Sequence, residues 1–218
     1  MNSNADSTRD DSAANRALQR YYQLHSRIYD ATRWSFLFGR NAIVRQAASV
    51  VAPQRILEVG CGTGKNLQAL ARRFPDAQLT GIDLSGEMLN IARRKLTPLG
   101  RRIQLHQHAY CPGLARDLSQ NNGFDLVLFS YALSMFNPGW DAAIDTARHD
   151  LSANGVIAVV DFHNSPFSAF RKWMGVNHVR MEGHLLPLLK NSFQPVLARE
   201  RLAYGGVWRY FLFLGKSV

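Results

Sequence analysis

Short apolar runs alternate with segments of helical spacing through the middle of the chain. Five runs have the length and composition of buried strands: Arg55–Val59, Gln78–Asp83, Arg102–Gln107, Phe124–Ser130 and Val156–Asp161. Between them, a helix over Lys65–Arg73 is stopped by Pro75, and a helix over Trp140–Leu151 is expected to end near Asn154-Gly155. Strands that alternate with helices predict a parallel sheet covered by helices on both faces.

The end of the chain departs from this alternation. Pro195–Ala203 and Val207–Gly215 are strand-like runs that only Tyr204-Gly205-Gly206 separates, which indicates a hairpin. Because no helix fits between the two runs, the last strand must run antiparallel. The pattern therefore predicts an α/β fold whose mostly parallel, seven-stranded sheet is closed by a C-terminal antiparallel hairpin.

Domain organisation follows from where apolar residues are rare or inserted. Residues 1–14 are polar, which predicts a disordered tail, and residues 15–218 have the size of a single domain. Within that domain, residues 15–51 predict a helical arm or lid. Residues 162–194 lie between the fifth strand and the hairpin, so we expect them to cover the strand ends as a substrate roof.

The candidate chemistry is concentrated after the first two predicted strands. Arg55–Asn66 predicts a strand, a tight turn and a helix, with an acid and three glycines spaced as Glu58, Gly60, Gly62 and Gly64. Glycine permits positive φ and close approach of a ligand, and a helix N-terminus adds free N–H groups. A dinucleotide fingerprint needs its third glycine where Lys65 stands. Asp83 ends the second strand, where a carboxylate can accept both hydroxyls of a ribose.

These residues resemble the class I S-adenosylmethionine-dependent methyltransferases, and the closing hairpin is a second, independent resemblance. The likeness implies a Rossmann-like class I methyltransferase fold, S-adenosyl-L-methionine as cofactor and S-adenosyl-L-homocysteine as product. His108 stands where the family often has an adenine-binding acid, which leaves the backbone of Ala109 as the expected adenine partner. The resemblance assigns to the cofactor Glu58, Gly60, Cys61, Gly62, Gly64, Asn66, Asp83, Leu84, Met88, His108, Ala109 and Ser130.

Methyl transfer to an amine requires positioning, exclusion of water and at most one proton acceptor. The catalytic candidates are Tyr131, Tyr29, Asp161 and His163. Asp161 and His163 end the fifth strand, where a capped strand end with a surface histidine is the alternative interpretation; for Tyr131 the alternative is a ring that closes the core. Aromatic faces hold a charged amine, so the substrate candidates are Trp34, Trp173 and Trp208, together with Ser134 in the lining of the methyl-transfer pocket and Arg33 as the partner of a substrate carboxylate.

The charge pattern changes the expected partner. The net charge is +10, and between Ser12 and Arg55 seven arginines face one acid, Asp30. An arginine-rich aromatic arm without a run of about 20 apolar residues suits an anionic membrane surface. Cys61 and Cys111 have no metal spacing, so no metal site is expected and the composition fits a reducing cytosol. We therefore expect a cytoplasmic protein, peripheral at the inner face of the membrane.

Three further runs narrow the resemblance to the bacterial betaine-lipid N-methyltransferases. The runs are Tyr29–Arg40, Ser130–Met135 and Gly205–Phe211. This likeness implies a lipid-amine substrate, diacylglyceryl-homoserine, that is trimethylated. Residues 130–135 lack the Asn/Asp-Pro-Pro-aromatic run of base methyltransferases, so nucleic acid is not the expected substrate. A phosphatidylethanolamine or other small-molecule N-methyltransferase, an RNA-binding homologue and a non-catalytic cofactor-binding protein remain alternatives.

Overall fold

A computed structural model of the chain describes residues 36–119, 123–176 and 178–217. The predicted tail and most of the predicted arm lie outside the described residues, together with three candidate site residues, Tyr29, Arg33 and Trp34.

The described residues form a seven-stranded sheet with the strand order β3-β2-β1-β4-β5-β7-β6. The strands are β1 (Arg55–Val59), β2 (Gln78–Asp83), β3 (Ile103–Gln107), β4 (Phe124–Ser130), β5 (Leu151–Asn164), β6 (Gln194–Ala203) and β7 (Trp208–Lys216). Strands β1 to β5 are parallel, and β7 runs antiparallel to both of its neighbours. The predicted sheet and its closing hairpin are therefore confirmed.

Seven α-helices connect or cover these strands in the part of the chain that is described. They are α1 (Arg40–Ala47), α2 (Lys65–Arg73), α3 (Gly86–Leu96), α4 (Leu114–Leu118), α5 (Trp140–Asp150), α6 (Ser168–Val176) and α7 (Leu185–Ser192). Short 3₁₀ segments lie at Thr97–Arg102, Leu133–Met135 and Tyr204–Gly206.

Successive residues of a strand point to opposite faces of the sheet. The side chains of the central strands therefore pack in two buried clusters, one on each face. Ile56 packs in the cluster that contains Ile43 of α1 and Leu70 of α2. Its neighbour Leu57 packs in the cluster that contains Ile144 of α5. Both faces are thus covered, as expected for a parallel sheet.

The helix α5 ends earlier than its sequence suggested. Asp150 is its last residue, and Asn154-Gly155 lies inside β5 instead of forming a helix stop. Gly155 is required there because a Cβ would lie 2.8 Å from the carbonyl oxygen of Phe124. The glycine therefore allows β4 and β5 to approach closely, which helix-stop rules do not anticipate.

The segment predicted as a substrate roof divides between two positions. Helix α6 follows the carboxyl end of β5, at the edge where a roof was expected. Helix α7 instead buries Leu185, Leu186 and Leu189 in the cluster on one face of the sheet. Only the first part of residues 162–194 therefore lies at the strand ends.

Candidate active site

The three glycines after β1 form a turn in which each has positive φ, +70° at Gly60, +53° at Gly62 and +75° at Gly64. A Cβ on Gly60 would lie 2.8 Å from Cβ of Ala132, and one on Gly64 would lie 2.7 Å from Cδ1 of Leu96. A Cβ on Gly62 would meet nothing within 4 Å. Gly60 and Gly64 therefore permit tight packing, whereas Gly62 leaves backbone exposed to an open space that a ligand can fill.

The carboxylate of Asp83 joins the end of β2 to this glycine turn. Its Oδ2 accepts a hydrogen bond from the Gly62 N–H at 2.7 Å, and its Oδ1 accepts one from the Ser85 N–H at 2.9 Å. A carboxylate offers about four acceptor positions, so two backbone bonds do not exhaust it. Its position beside the open side of Gly62 fits the ribose hydroxyls of a nucleoside cofactor.

A buried polar network supports the turn from below. The Asn66 amide donates to Glu58 Oε1 at 2.6 Å, and the Arg40 Nε–H donates to Asn66 Oδ1 at 2.9 Å. Burial raises the pKa of Glu58 to about 7, although the Asn66 bond and the Arg40 charge lower it. Glu58 and Asn66 were assigned to the cofactor, and in this conformation both are buried beneath the turn.

Arg40 is a site residue that sequence reasoning missed, because its charge was counted only as part of the basic arm. It begins α1, 26 positions before its partner Asn66. Only the tertiary fold brings the two side chains together. The mixture of aromatics and arginines before α1 was the available signal, and it pointed to a lid rather than to a particular contact.

The expected adenine side of the site assembles around the end of β2. The His108 N–H donates to the Asp83 carbonyl at 3.1 Å, which places His108 and Ala109 beside Asp83 and Leu84. His108 is exposed, whereas Met88 is buried and its N–H donates to the Ser85 hydroxyl at 3.3 Å, capping α3. Leu84, His108 and Ala109 are therefore placed to meet an adenine, and Met88 lies behind them.

Cys61 contributes packing rather than chemistry to the turn. Its side chain is buried, and burial raises the pKa of its thiol well above the ordinary value. A Cβ on Gly81 would lie 2.9 Å from its sulfur, so the thiol fills the space between β1 and β2. A buried, protonated thiol is not a nucleophile.

On the other side of the turn, Tyr131 follows β4 with a φ of +57°. Its hydroxyl donates to the Phe38 carbonyl at 2.7 Å, and its ring packs edge-on against Phe162 at 4.7 Å. Burial is the main cause that raises its pKa well above the ordinary value. Tyr131 therefore ties the segment before α1 to the end of β4 as a protonated donor.

Two serine hydroxyls accompany Tyr131 in this region. Those of Ser130 and Ser134 are buried and have no hydrogen-bond partner among the described residues. Asp161 fixes the same loop, because its Oδ2 accepts from the Ser134 N–H at 3.1 Å and its Oδ1 from the Phe162 N–H at 2.7 Å. Asp161 is completely buried and positions the loop that carries the serines.

His163 does not lie beside Tyr131. It packs edge-on against Phe211 at 6.0 Å, in the cluster on the opposite face of the sheet from Tyr131. Its Nε2 lies 3.5 Å from Glu200 Oε1. Burial lowers its pKa, and the nearby Glu200 charge opposes that shift. His163 is only 9% exposed and lies across the sheet from Tyr131, so it is neither a surface histidine nor a neighbour of that ring.

The two described tryptophan candidates have different environments. Trp208 is only 2% exposed and stacks between Phe36 and Phe170, with ring centroids at 5.3 Å from each. Trp173 of α6 is 51% exposed. Trp208 therefore forms the base of an aromatic cluster, and Trp173 is the tryptophan that faces outward. Within the described ranges, no three His, Cys, Asp or Glu side chains are grouped as metal ligands.

Part of the sequence matches a known domain family. Residues 56–155 match a family model described as "Methyltransferase domain". The chain is 31% identical over 152 residues to a malonyl-[acyl-carrier protein] O-methyltransferase of Priestia megaterium, covering 69% of this chain and 53% of that protein. It is 31% identical over 107 residues to a trans-aconitate 2-methyltransferase of Rhodopseudomonas palustris, covering 49% and 38%. The chain thus spans about half the length, or less, of these curated relatives.

Solved structures show the same fold at low sequence identity. A 1,6-didemethyltoxoflavin-N1-methyltransferase of Burkholderia thailandensis, with bound 1,6-didemethyltoxoflavin and S-adenosylhomocysteine, superposes with a TM-score of 0.68 at 16% identity, covering 96% of this chain and 90% of that one. The N-methyltransferase NodS of Bradyrhizobium japonicum in complex with S-adenosylhomocysteine gives 0.65 at 19% identity, covering 82% and 85%. With the open glycine turn and the placement of Asp83, these matches identify residues 56–155 as a class I S-adenosylmethionine-dependent methyltransferase domain, and S-adenosylmethionine as its cofactor.

Proposed function

We propose that the protein transfers methyl groups from S-adenosylmethionine to the amine of diacylglyceryl-homoserine and forms the betaine lipid diacylglyceryl-trimethylhomoserine. The observation that carries the transferase activity is the open space at Gly62 beside the Asp83 carboxylate. When bound there, the cofactor supplies a sulfonium-activated methyl group together with its own leaving group. The protein has only to hold the acceptor in line and keep water away.

The residues after β4 are suited to that positioning role. Ser130 and Ser134 offer buried hydroxyls that lack partners in the described structure, and each can orient an amine N–H. Tyr131 holds the backbone at Phe38 over the end of β4 through its hydroxyl, which excludes water from this side. In this proposal Asp161 keeps the serine loop in place, so it acts through the loop and not as a base.

The lipid character of the acceptor is supported by the apolar surroundings of this region. Phe38, Tyr204 and Trp173 are all more than one third exposed at the same end of the sheet. The described residues include no helix long and apolar enough to cross a membrane. We propose that the protein works in the cytoplasm, peripheral at the inner face of the membrane, with its net charge of +10 contributing to contact with anionic lipid.

A second candidate is O-methylation of a carboxylate. The relatives named above are, by their names, methyltransferases of malonyl-[acyl-carrier protein] and of trans-aconitate, which favours an acidic acceptor. Homoserine lipids carry both a carboxylate and an amine, so the two candidates differ in which atom receives the methyl group. A phosphatidylethanolamine amine is the further alternative within N-methylation.

The test uses the purified full chain, cofactor labelled on its methyl group, and four separate acceptors: diacylglyceryl-homoserine, phosphatidylethanolamine, malonyl-[acyl-carrier protein] and trans-aconitate. We expect label in the homoserine lipid that stays non-volatile in mild base, because an N-methyl group remains on the deacylated head group whereas a methyl ester releases its label as volatile methanol. Base-labile label would support carboxylate methylation, and label only in phosphatidylethanolamine would move the assignment to that lipid. The Asp83→Ala variant serves as the blank for cofactor-dependent transfer.

A further inference from the structure

The exposed large apolar side chains of the described residues gather at one edge of the molecule. Val196, near the start of β6, is the exception among them. The others are Phe38 at 38% exposure, Phe167 at 55%, Trp173 at 51%, Val176 at 77%, Leu202 at 61% and Tyr204 at 54%. They belong to the segment before α1, to α6 with the residue before it, and to the tip of the β6–β7 hairpin. We call these six residues the edge surface.

Ring contacts connect three members of the edge surface, Phe38, Trp173 and Tyr204, by way of Phe36. Phe36 lies 6.1 Å from the Trp173 ring and 6.4 Å from the Tyr204 ring, and Phe38 lies 5.2 Å from Tyr204. Buried Trp208 stacks under Phe36. The exposed rings therefore rest on a packed base, and the patch is part of the folded domain.

Basic side chains surround this patch. Arg171 and Lys172 lie in α6, and Arg201 and Arg209 lie on the two strands of the hairpin; all four are exposed. Neither α6 nor residues 201–209 contains an acid. The nearest acids are in ion pairs, since Glu200 lies 3.5 Å from Arg209 and Glu182 lies 3.0 Å from Arg180. Aromatic residues rimmed by cations fit an anionic bilayer interface.

The edge surface lies at the same end of the strands as the cofactor turn. Helix α6 follows the carboxyl end of β5, and the hairpin tip precedes the antiparallel β7. Both therefore lie at the end of the sheet where β1 continues into the glycine turn. Because adjacent strands are about 4.8 Å apart, the patch begins only one or two strands from the end of β4. Phe38 links the two directly, since its carbonyl accepts the Tyr131 hydroxyl at 2.7 Å.

A cavity opens within this region. Its volume is about 630 Å³, and its lining includes Ser165, Arg171, Glu182, Leu202 and Arg209. Two guanidinium groups thus line the same cavity as Leu202 of the edge surface. Guanidinium is the side chain that binds phosphate and carboxylate groups best, because its fork of donors matches their oxygens.

We propose that the edge surface docks on an anionic lipid bilayer, with its apolar side chains in the interface and the cavity between Arg171 and Arg209 holding the anionic part of a lipid head group. This deepens the proposed function by assigning the membrane contact to α6 and the hairpin tip. A second copy of the chain fits this surface less well, because a symmetric contact would bring Arg171, Lys172 and Arg201 against their own equivalents.

The experiment measures sedimentation of the full chain with phosphatidylcholine vesicles that do or do not contain 30% phosphatidylglycerol, so that the two kinds of vesicle differ in surface charge. The test variants are Phe167→Ser/Val176→Ser and Lys172→Glu, none of which lines the cavity. The matched controls are Val196→Ser and Lys216→Glu. Both residues are exposed in the hairpin strands β6 and β7, at the end far from the hairpin tip. We expect at least tenfold weaker binding for the double variant, at least fivefold for Lys172→Glu, and wild-type binding for both controls.

Three results would overturn this assignment: no binding of the wild type to anionic vesicles, equal losses in test and control variants, or a concentration-dependent dimer that only the test variants lose. Methyl transfer to a short-chain homoserine lipid in solution is measured in parallel. Transfer that persists while the vesicle result fails rejects only the docking surface. Vesicle binding that follows the expected pattern without any transfer rejects only the proposed function.

Discussion

The region at the carboxyl ends of the parallel strands has two halves that are built in different ways. The cofactor half consists of the turns after β1, β2 and β3, and backbone hydrogen bonds hold it: Gly60 and Cys61 N–H groups donate to the Ile82 carbonyl at 2.8 and 3.0 Å, and Asp83 accepts from Gly62. The acceptor half consists of the ends of β4 and β5, α6 and the hairpin tip. There, aromatic packing around Trp208 dominates. Cofactor binding thus depends on a few residue types, whereas the acceptor side tolerates many arrangements of apolar rings.

The halves also differ in how they titrate. Burial raises the pKa of Glu58 in the cofactor half to about 7, so this acid keeps its proton to a higher pH in the folded protein than in the unfolded chain. Burial lowers the pKa of His163 in the acceptor half, so this base stays neutral to a lower pH in the folded protein. The first effect makes the fold less stable as pH rises, and the second makes it less stable as pH falls. Separate variants can therefore distinguish the two halves by the sign of a pH slope.

The largest expected effect belongs to Glu58→Gln. Between the ordinary pKa of 4.5 and about 7 the folded state binds more protons at this site than the unfolded chain, so its contribution to stability is lost as pH rises through that window. The full loss is about 3 to 4 kcal/mol at most, since one pKa unit corresponds to about 1.4 kcal/mol. Urea unfolding at pH 5 and 7.5 should show this slope in the wild type and a flatter one in the variant. Glu87→Gln, at an exposed position in α3, should keep the wild-type slope.

Next in size is Asp83→Ala, which tests the cofactor half directly. The variant loses the ribose acceptor and also the bonds to the Gly62 and Ser85 N–H groups. We expect at least tenfold weaker binding of S-adenosylhomocysteine by calorimetry, because hydrogen bonds to a charged group contribute about 1.5–3 kcal/mol each. Asp76→Ala, an exposed carboxylate between α2 and β2, is the control. Unchanged affinity in Asp83→Ala would remove the ribose assignment.

Sequence patterns predicted the cofactor half far better than the acceptor half. The bounds of α2 and β2 agree residue for residue with the predicted ones, and Asp83 lies at the end of β2 as expected. These features follow local rules of strand length, turn chemistry and helix stops. Trp208 was predicted to contact substrate but is buried, because only the tertiary fold decides which aromatic becomes the base of a cluster. Arg40 escaped notice for the same reason.

A smaller effect is expected for Tyr131→Phe, which tests the link between the halves. The substitution keeps the ring against Phe162 and removes the hydroxyl that donates to the Phe38 carbonyl. The free energy of unfolding should fall by about 1 kcal/mol, as for one hydrogen bond. Turnover should fall several-fold while cofactor affinity stays constant, because the segment before α1 is no longer held over β4. Equal losses in turnover and affinity would show that Tyr131 supports the whole edge and has no particular role on the acceptor side.

The smallest effect is expected for His163→Gln in the Glu58→Gln background, where the opposing slope has been removed. Since burial lowers the pKa of His163 below its ordinary 6.5, the unfolded chain binds more protons there, and its contribution to stability is lost as pH falls from 6.5 through the folded value. Urea unfolding at pH 5.5 and 7.5 should therefore show a slightly flatter slope after the substitution, and His184 and His106, whose pKa values burial also lowers, contribute to the slope that remains. If His163 only caps the strand end, kcat and its pH profile stay unchanged. A lower kcat with a shifted acid limb would instead make His163 a proton acceptor for the reaction, despite its position across the sheet from Tyr131.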